Sequence, residues 1–241
     1  MPFRTALLNL AITFMLLMVV VLVGVIMRER RPAPHPGLKI PMAGIPGYRR
    51  SDEGGVPRPI VEKFQILRSP TLVESSANEA DTLRIRYGSE EYVFVLYYVD
   101  ALETSMNHPQ KVAEQGRWFQ VSQKDIVDTG RDAALYVSQL LKDNYFNVLT
   151  RWERVPNTIR YYALIKVQLA QGPVDLADLL IQHGYARVGS LMTELPNDRR
   201  DQASYLAELK TLDQKARQAK SGIWSRSLNL DASPGTEARR K

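Results

Sequence analysis

The sequence predicts an α+β fold, mostly β, in which a five-stranded barrel with about three helices follows one transmembrane helix. Three observations carry that expectation. An apolar run from Ala6 to Met27 is broken only by Asn9, Thr13 and Gly24. Short β-rich segments recur between turn residues from Thr71 to Val188. An apolar face at helical spacing then closes the chain before Gly222.

The 241 residues, 44% hydrophobic and 24% charged, hold one medium domain plus extra segments. A formal charge of +6 makes nucleic acid and anionic lipid candidate partners, although arginines beside the apolar run supply part of the excess. The chain has no cysteine, which excludes disulfide frameworks, Cys-ligated zinc and thiol catalysis. Its three histidines are scattered, which argues against a His-rich metal site.

About 22 residues at about 1.5 Å each carry residues 6–27 across roughly 33 Å, enough for a hydrocarbon core of about 30 Å. A cleaved signal peptide would need a shorter apolar core and a small-x-small site. Val23 to Met27 offers none, so an uncleaved, single-pass membrane anchor is preferred. Arg28, Arg30 and Arg31 outweigh Arg4, a bias that weakly favours the cytoplasm for the following domain, while the few residues ahead of the run leave the orientation open. Residues 28–59 form a linker whose prolines, from Pro32 to Pro59, prevent continuous helix or central strand. Lys39, Arg49 and Arg50 in it suit anionic headgroups.

The folded domain is expected over residues 60–225. Ile60 to Leu67 reads equally as strand or helix, and Thr71-Leu72-Val73 begins a strand. Leu83, Ile85 and Tyr87 alternate with polar residues, and the β-rich Tyr92 to Val99 follows a turn at Gly88-Ser89-Glu90, so the two form a hairpin. Because a hairpin returns its second strand beside its first, Asp81 and Asp100 fall at one end of the ribbon, where two carboxylates can share a divalent cation. Ser105 to Val127 reads as a long loop beside that end. Thr129 to Asp132 fits a capping box ahead of a helix over Ala133 to Lys142. Strands follow over Tyr145 to Trp152 and Arg160 to Ala170, then a helix from Asp175 to Ile181 and a strand over Tyr185 to Val188. The last helix spans Asp198 to Lys220, with Tyr205, Leu209, Leu212 and Ala216 on one face. Residues 226–241 are a polar, basic tail. This succession describes a small barrel of the oligonucleotide/oligosaccharide-binding type with helical additions.

From Ser69 to Ser225 the residues resemble the thermonuclease-like (staphylococcal nuclease) family. The matches are Pro70-Thr71-Leu72-Val73, Asp81-Thr82, Val99-Asp100-x-x-Glu103-Thr104, Gly130-Arg131-Asp132-Ala133-Ala134, Leu180 to Val188, and Gly222-Ile223-Trp224-Ser225, in order and at nearly the family's spacing. The resemblance implies calcium-dependent hydrolysis of DNA or RNA phosphodiesters. It places the metal ligands on Asp81, Asp100 and the main-chain carbonyl of Ala101, the general base on Glu103, and one phosphate-binding arginine on Arg160. Glu79 falls where it can assist from outside the ligand set.

The second phosphate-binding arginine of that family falls on Val95, which carries no charge. Loss of such a donor costs about 3 kcal/mol, on the order of a hundredfold in rate. Arg84 and Arg86 on the neighbouring strand are the candidate replacements, but their alternation with Leu83 and Ile85 points them outward. Ser190 and Met192 occupy positions where the family often has base-stacking tyrosines. Two readings stay open: a membrane-tethered calcium-dependent nuclease of reduced activity, and a catalytically degenerate nuclease fold that binds nucleic acid or protein. Taken singly, Asp81 and Asp100 also fit strand-flanking turn formers, Glu103 a loop acceptor, and Arg160 a solvated strand end.

Overall fold

The computed structural model describes residues 61, 63–196 and 200–228. The expected span at Ala6 to Met27, the linker and most of the basic tail lie outside them. Among the described residues no helix is long and apolar enough to cross a membrane.

Over the described residues the domain is α+β, with a seven-stranded mixed sheet, a separate two-stranded ribbon and four α-helices. β1 (Gln65–Arg68) and β2 (Thr71–Leu72) are short and nearly continuous. β3 (Thr82–Tyr87) and β4 (Glu90–Leu96) form the hairpin read from the sequence, turning at Gly88, whose φ of 65° suits a residue without a Cβ. The period-2 pattern holds on β3 for Leu83 and Ile85 and fails at Tyr87, which is 38% exposed. Leu83 and Ile85 are buried, while Arg84 and Arg86 are exposed and pair with Glu91 across the hairpin.

β5 (Val99–Ala101) is not a continuation of β4. The sequence expectation of one strand from Tyr92 to Val99 fails at Tyr97 and Tyr98, because Tyr98 is left-handed with φ of 72°. The chain leaves the sheet there, and β5 pairs instead with β9 (Ala186–Val188). β6 (Phe146–Thr150), β7 (Tyr161–Leu169) and β8 (Gly172–Asp175) complete the strands.

The sheet order is β1-β6-β7-β4-β3-β2, antiparallel except where β4 lies parallel to β7, with β8 also on β7. The expected five-stranded barrel is therefore not what the hydrogen bonds draw: no ladder joins β1 to β2, so the sheet is not closed. Its two edge strands are nevertheless successive in the chain, separated by Ser69 and Pro70 alone. Ser69 is left-handed with φ of 48° and Pro70 has no N–H, so a single ladder cannot run through both strands.

The segment expected as a long loop, Ser105 to Val127, is mostly helical. α1 (Pro109–Phe119) starts on a proline, whose fixed φ and missing N–H suit a first turn, and it buries Val112, Gln115, Gly116 and Phe119 at spacings of three and four. α2 (Gln123–Asp143) begins ten residues before the expected Ala133, because the capping box is Ser122 with Asp125 and not Thr129 with Asp132. α3 (Leu176–Gln182) and α4 (Gln202–Gln218) match their expected places closely, and a 3-10 turn (Gly222–Ser225) follows.

Leu83, Ile85, Phe94, Val148, Ile165 and Val167 from the sheet pack with Ala133, Val137 and Leu141 of α2 and Leu180 of α3. A second cluster, with Leu102, Val112, Phe119, Ile126 and Trp224, fixes α1 against α2 and the 3-10 turn. Its centre is an edge-to-face contact of Phe119 and Trp224 at 4.9 Å. That satellite core holds α1 beside the end of β5, where the acidic residues gather.

Candidate functional site

One open cleft of about 1590 Å³ is lined by residues from β3, β4, β5, α1, α2 and β9. Asp81, Val95, Asp100, Glu103 and Arg160 all face it. Four of the implied site residues, Asp81, Asp100, Glu103 and Arg160, spread over about 80 positions, are thus brought to one place, whereas Ala101, Arg84, Arg86 and Met192 do not line the cleft.

Asp81 immediately precedes β3 and is 6% exposed. Its Oδ2 accepts the Ala101 N–H at 2.8 Å and its Oδ1 accepts the Thr82 hydroxyl at 3.0 Å. Burial raises its pKa above the ordinary carboxylate value, against the opposing pull of the Ala101 N–H. Glu79 sits two residues earlier, within 3.4 Å of the Thr104 hydroxyl. Burial, then the charges of Glu103 and Asp81, push its pKa up to about 7.

Asp100 on β5 lies directly opposite Arg187 on β9. Its Oδ2 accepts from Arg187 Nε at 2.8 Å, while its Oδ1 is 3.1 Å from the Lys111 ammonium. Arg187 turns its other edge to Glu114 of α1 as a two-pronged pair at 2.7 Å, and its guanidinium lies 5.1 Å from the Trp118 ring centre. One arginine therefore joins β9, β5 and α1.

Glu103 is 3% exposed. Its backbone N–H donates to Gln115 Oε1, and its Oε1 lies 2.6 Å from Lys111 Nζ. Its Oε2 is buried without a hydrogen-bond partner. Gly130 of α2 supports this position. A Cβ there would fall 2.2 Å from the Glu103 carbonyl oxygen, so α2 can approach the Leu102–Glu103 backbone only with glycine at that place. For Lys111, burial opposes the charge, but Asp100 and Glu103 outweigh it and hold the ammonium above the ordinary lysine value.

The calcium ligand set implied by the resemblance does not fit this arrangement. Both Asp100 oxygens are engaged by cationic side chains, and the Ala101 carbonyl accepts the Gln115 side-chain amide at 2.8 Å. Among the described residues no three His, Asp or Glu side chains are gathered as a metal centre requires. The candidate replacements for the missing arginine are also elsewhere, since Arg84 and Arg86 bind Glu91.

Arg160 is exposed at the cleft wall just before β7 and makes no ion pair among the described residues. Trp118, expected in a loop, stands on α1 and lines the cleft, as does His108 at the α1 cap. Ser190 also lines it, with its hydroxyl donating to the Leu96 carbonyl. Sequence reasoning missed Lys111, Glu114 and Arg187. The spacing of Glu103, Lys111 and Glu114 becomes informative only once α1 is recognised, and Arg187 only once β9 is known to pair with β5.

Compared with known proteins, the chain matches no family model and no curated sequence.

Proposed function

We propose that residues 60–225 form a thermonuclease-like domain, a degenerate nuclease fold whose cleft binds single-stranded nucleic acid without efficient hydrolysis. The convergence of Asp81, Asp100, Glu103 and Arg160 on one cleft carries this reading. The sheet supports it too: β1 and β2, taken as one strand bent at Ser69 and Pro70, pair with β6 at one end of the sheet and with β3 at the other, as a strand shared by both ends of a small, partly open barrel would.

Binding without turnover follows from the charges. A floor of bare carboxylates would repel a phosphate, but Lys111 bridges Asp100 and Glu103, and Arg187 bridges Asp100 and Glu114. Arg160, with no ion pair among the described residues, is left to meet the phosphate, and Trp118 lines the same cleft. The valine at position 95 removes the second guanidinium a transition state would need. An apolar N-terminal span would hold the domain at a membrane.

Fluorescence anisotropy of a labelled single-stranded oligonucleotide, with gel analysis of its integrity, tests the proposal. Binding should weaken with salt, and Arg160→Ala should weaken it about tenfold, equivalent to about 1.4 kcal/mol. No binding at low salt, or no effect of the variant, refutes it. A second reading, calcium-dependent cleavage, is favoured by the bare, buried Oε2 of Glu103. Cleavage that requires calcium and is lost in Glu103→Gln would establish that reading instead.

A further inference from the structure

Lys111 is the third residue of α1, in a first turn that holds no acidic residue. The free N–H groups of such a turn carry positive partial charge, so a cation there opposes the helix dipole. Groups outside the helix must compensate it. They are Glu103, at 2.6 Å from Nζ, and Asp100, at 3.1 Å. Neither carboxylate lies on α1. Both follow β4 in the chain, on the segment to which Asp81 is hydrogen-bonded through the Ala101 N–H.

Glu103 makes the dependence mutual. It is 3% exposed, and Lys111 is the one cation within ion-pair distance of it among the described residues. A buried carboxylate with no cation is costly, so the site needs a positive charge between Asp100 and Glu103. Arg187 cannot supply it, because its guanidinium is committed to the other oxygen of Asp100 and to Glu114. The Lys111 side chain is itself 42% exposed, so it reaches this place from the cleft side and fills no core volume.

We infer that the Lys111 ammonium is a built-in cation, held between Asp100 and Glu103, that takes up the Asp100 oxygen left by Arg187 and so makes the cleft independent of calcium. The inference takes from the thermonuclease-like reading only Asp100 as a metal ligand. It does not depend on nucleic-acid binding, and its test uses calcium alone.

The full-length chain in non-ionic detergent is titrated with calcium by calorimetry and followed by thermal unfolding. The wild type should show no binding up to about 1 mM, the weak end of calcium sites, and an unchanged melting temperature. Lys111→Met, close in length but uncharged, should melt lower without calcium and regain stability when calcium is added. It should bind the ion at least about 30-fold more tightly than the wild type, equivalent to about 2 kcal/mol. Adding Asp100→Asn should abolish the gain, and Lys111→Arg, which keeps the charge, should behave as the wild type.

Wild-type and Lys111→Met chains that bind calcium within threefold of each other overturn the inference, as does a folded Lys111→Met chain that ignores calcium. Should Lys111→Met fail to fold, wild-type binding tighter than about 1 mM that is lost in Asp100→Asn still overturns it. Failure of the oligonucleotide experiment alone would sink the functional proposal and leave this inference standing.

Discussion

Replacing Arg187 by methionine removes a side chain that ties β9, β5 and α1 together at the cleft. The arginine and Asp100 are 15% and 16% exposed, whereas Glu114 is 45% exposed. Stripping one partner from a fully buried pair costs about 3–5 kcal/mol because a bare charge stays behind, while an exposed pair is worth about 0–1 kcal/mol. Lys111 remains beside Asp100 and offsets part of the loss. The balance is about 2–3 kcal/mol, nearly all of it from the Asp100 side. Urea unfolding followed by tryptophan fluorescence measures it, and double-mutant cycles apportion it. Coupling of Arg187 to Asp100, with Asp100→Asn, should be about 1.5–2 kcal/mol and coupling to Glu114, with Glu114→Gln, about 0.5 kcal/mol. A total loss below about 0.5 kcal/mol, or equal coupling to both acids, would refute the assignment of the buried pair.

Gly130→Ala should destabilise the domain by about 1–3 kcal/mol, because its Cβ meets the Glu103 carbonyl oxygen and α2 must move away; equilibrium unfolding reads this, and an unchanged midpoint would show that the backbone yields without cost. Asp178 gives a pH signature away from the cleft. Burial, against the 2.7 Å hydrogen bond from the Tyr205 hydroxyl, raises its pKa from 3.8 to about 6. A carboxyl whose folded pKa is raised contributes stability that is full below the unfolded value and is lost as pH rises through the folded one. The stability of Asp178→Asn relative to the wild type should therefore increase between about pH 4 and pH 6 by up to about 3 kcal/mol and then level off. A flat difference across that window would contradict the assignment.

The legible parts of the fold were those set by local pattern. The β3–β4 hairpin announces itself through alternation and Gly88, and α4 through Tyr205, Leu209 and Ala216, all of which are buried. α1 was obscured because its inner face includes Gln115 and Gly116, which do not read as an apolar stripe although both are fully covered. Gln115 earns its burial through tertiary contacts, since its side chain spans the Glu103 N–H and the Ala101 carbonyl. The break at Tyr98 has no local signal: an aromatic, β-favouring residue is held left-handed while its N–H donates to the Leu191 carbonyl and its O–H to the Thr193 carbonyl.

The candidate site divides along the same line. Asp81, Asp100, Glu103 and Arg160 could be placed by spacing and resemblance, and they share the cleft. Their counter-charges could not, because Arg187 meets Asp100 through the register of two strands more than eighty residues apart. The expected use of the Ala101 carbonyl was displaced by a side chain, Gln115, that the loop reading of residues 105–127 had left without a direction.

The joint at Ser69 and Pro70 also fixes an order of assembly. β2 finds β3 within a short stretch of chain, whereas β1 finds its partner only when β6 exists, with Gln65 opposite Thr150 and Arg68 opposite Asn147. Such long-range pairing is slow, because loop-closure entropy is lost before any contact rewards it. A chain emerging from the ribosome therefore carries a completed hairpin beside a lone β1 whose backbone groups have no partner. During that interval β1 is open to strand exchange with a neighbouring copy. Adding β6 covers one side of β1, so the joint that sends one segment to both ends of the sheet delays that pairing until β6, about 80 residues further along the chain, has been made.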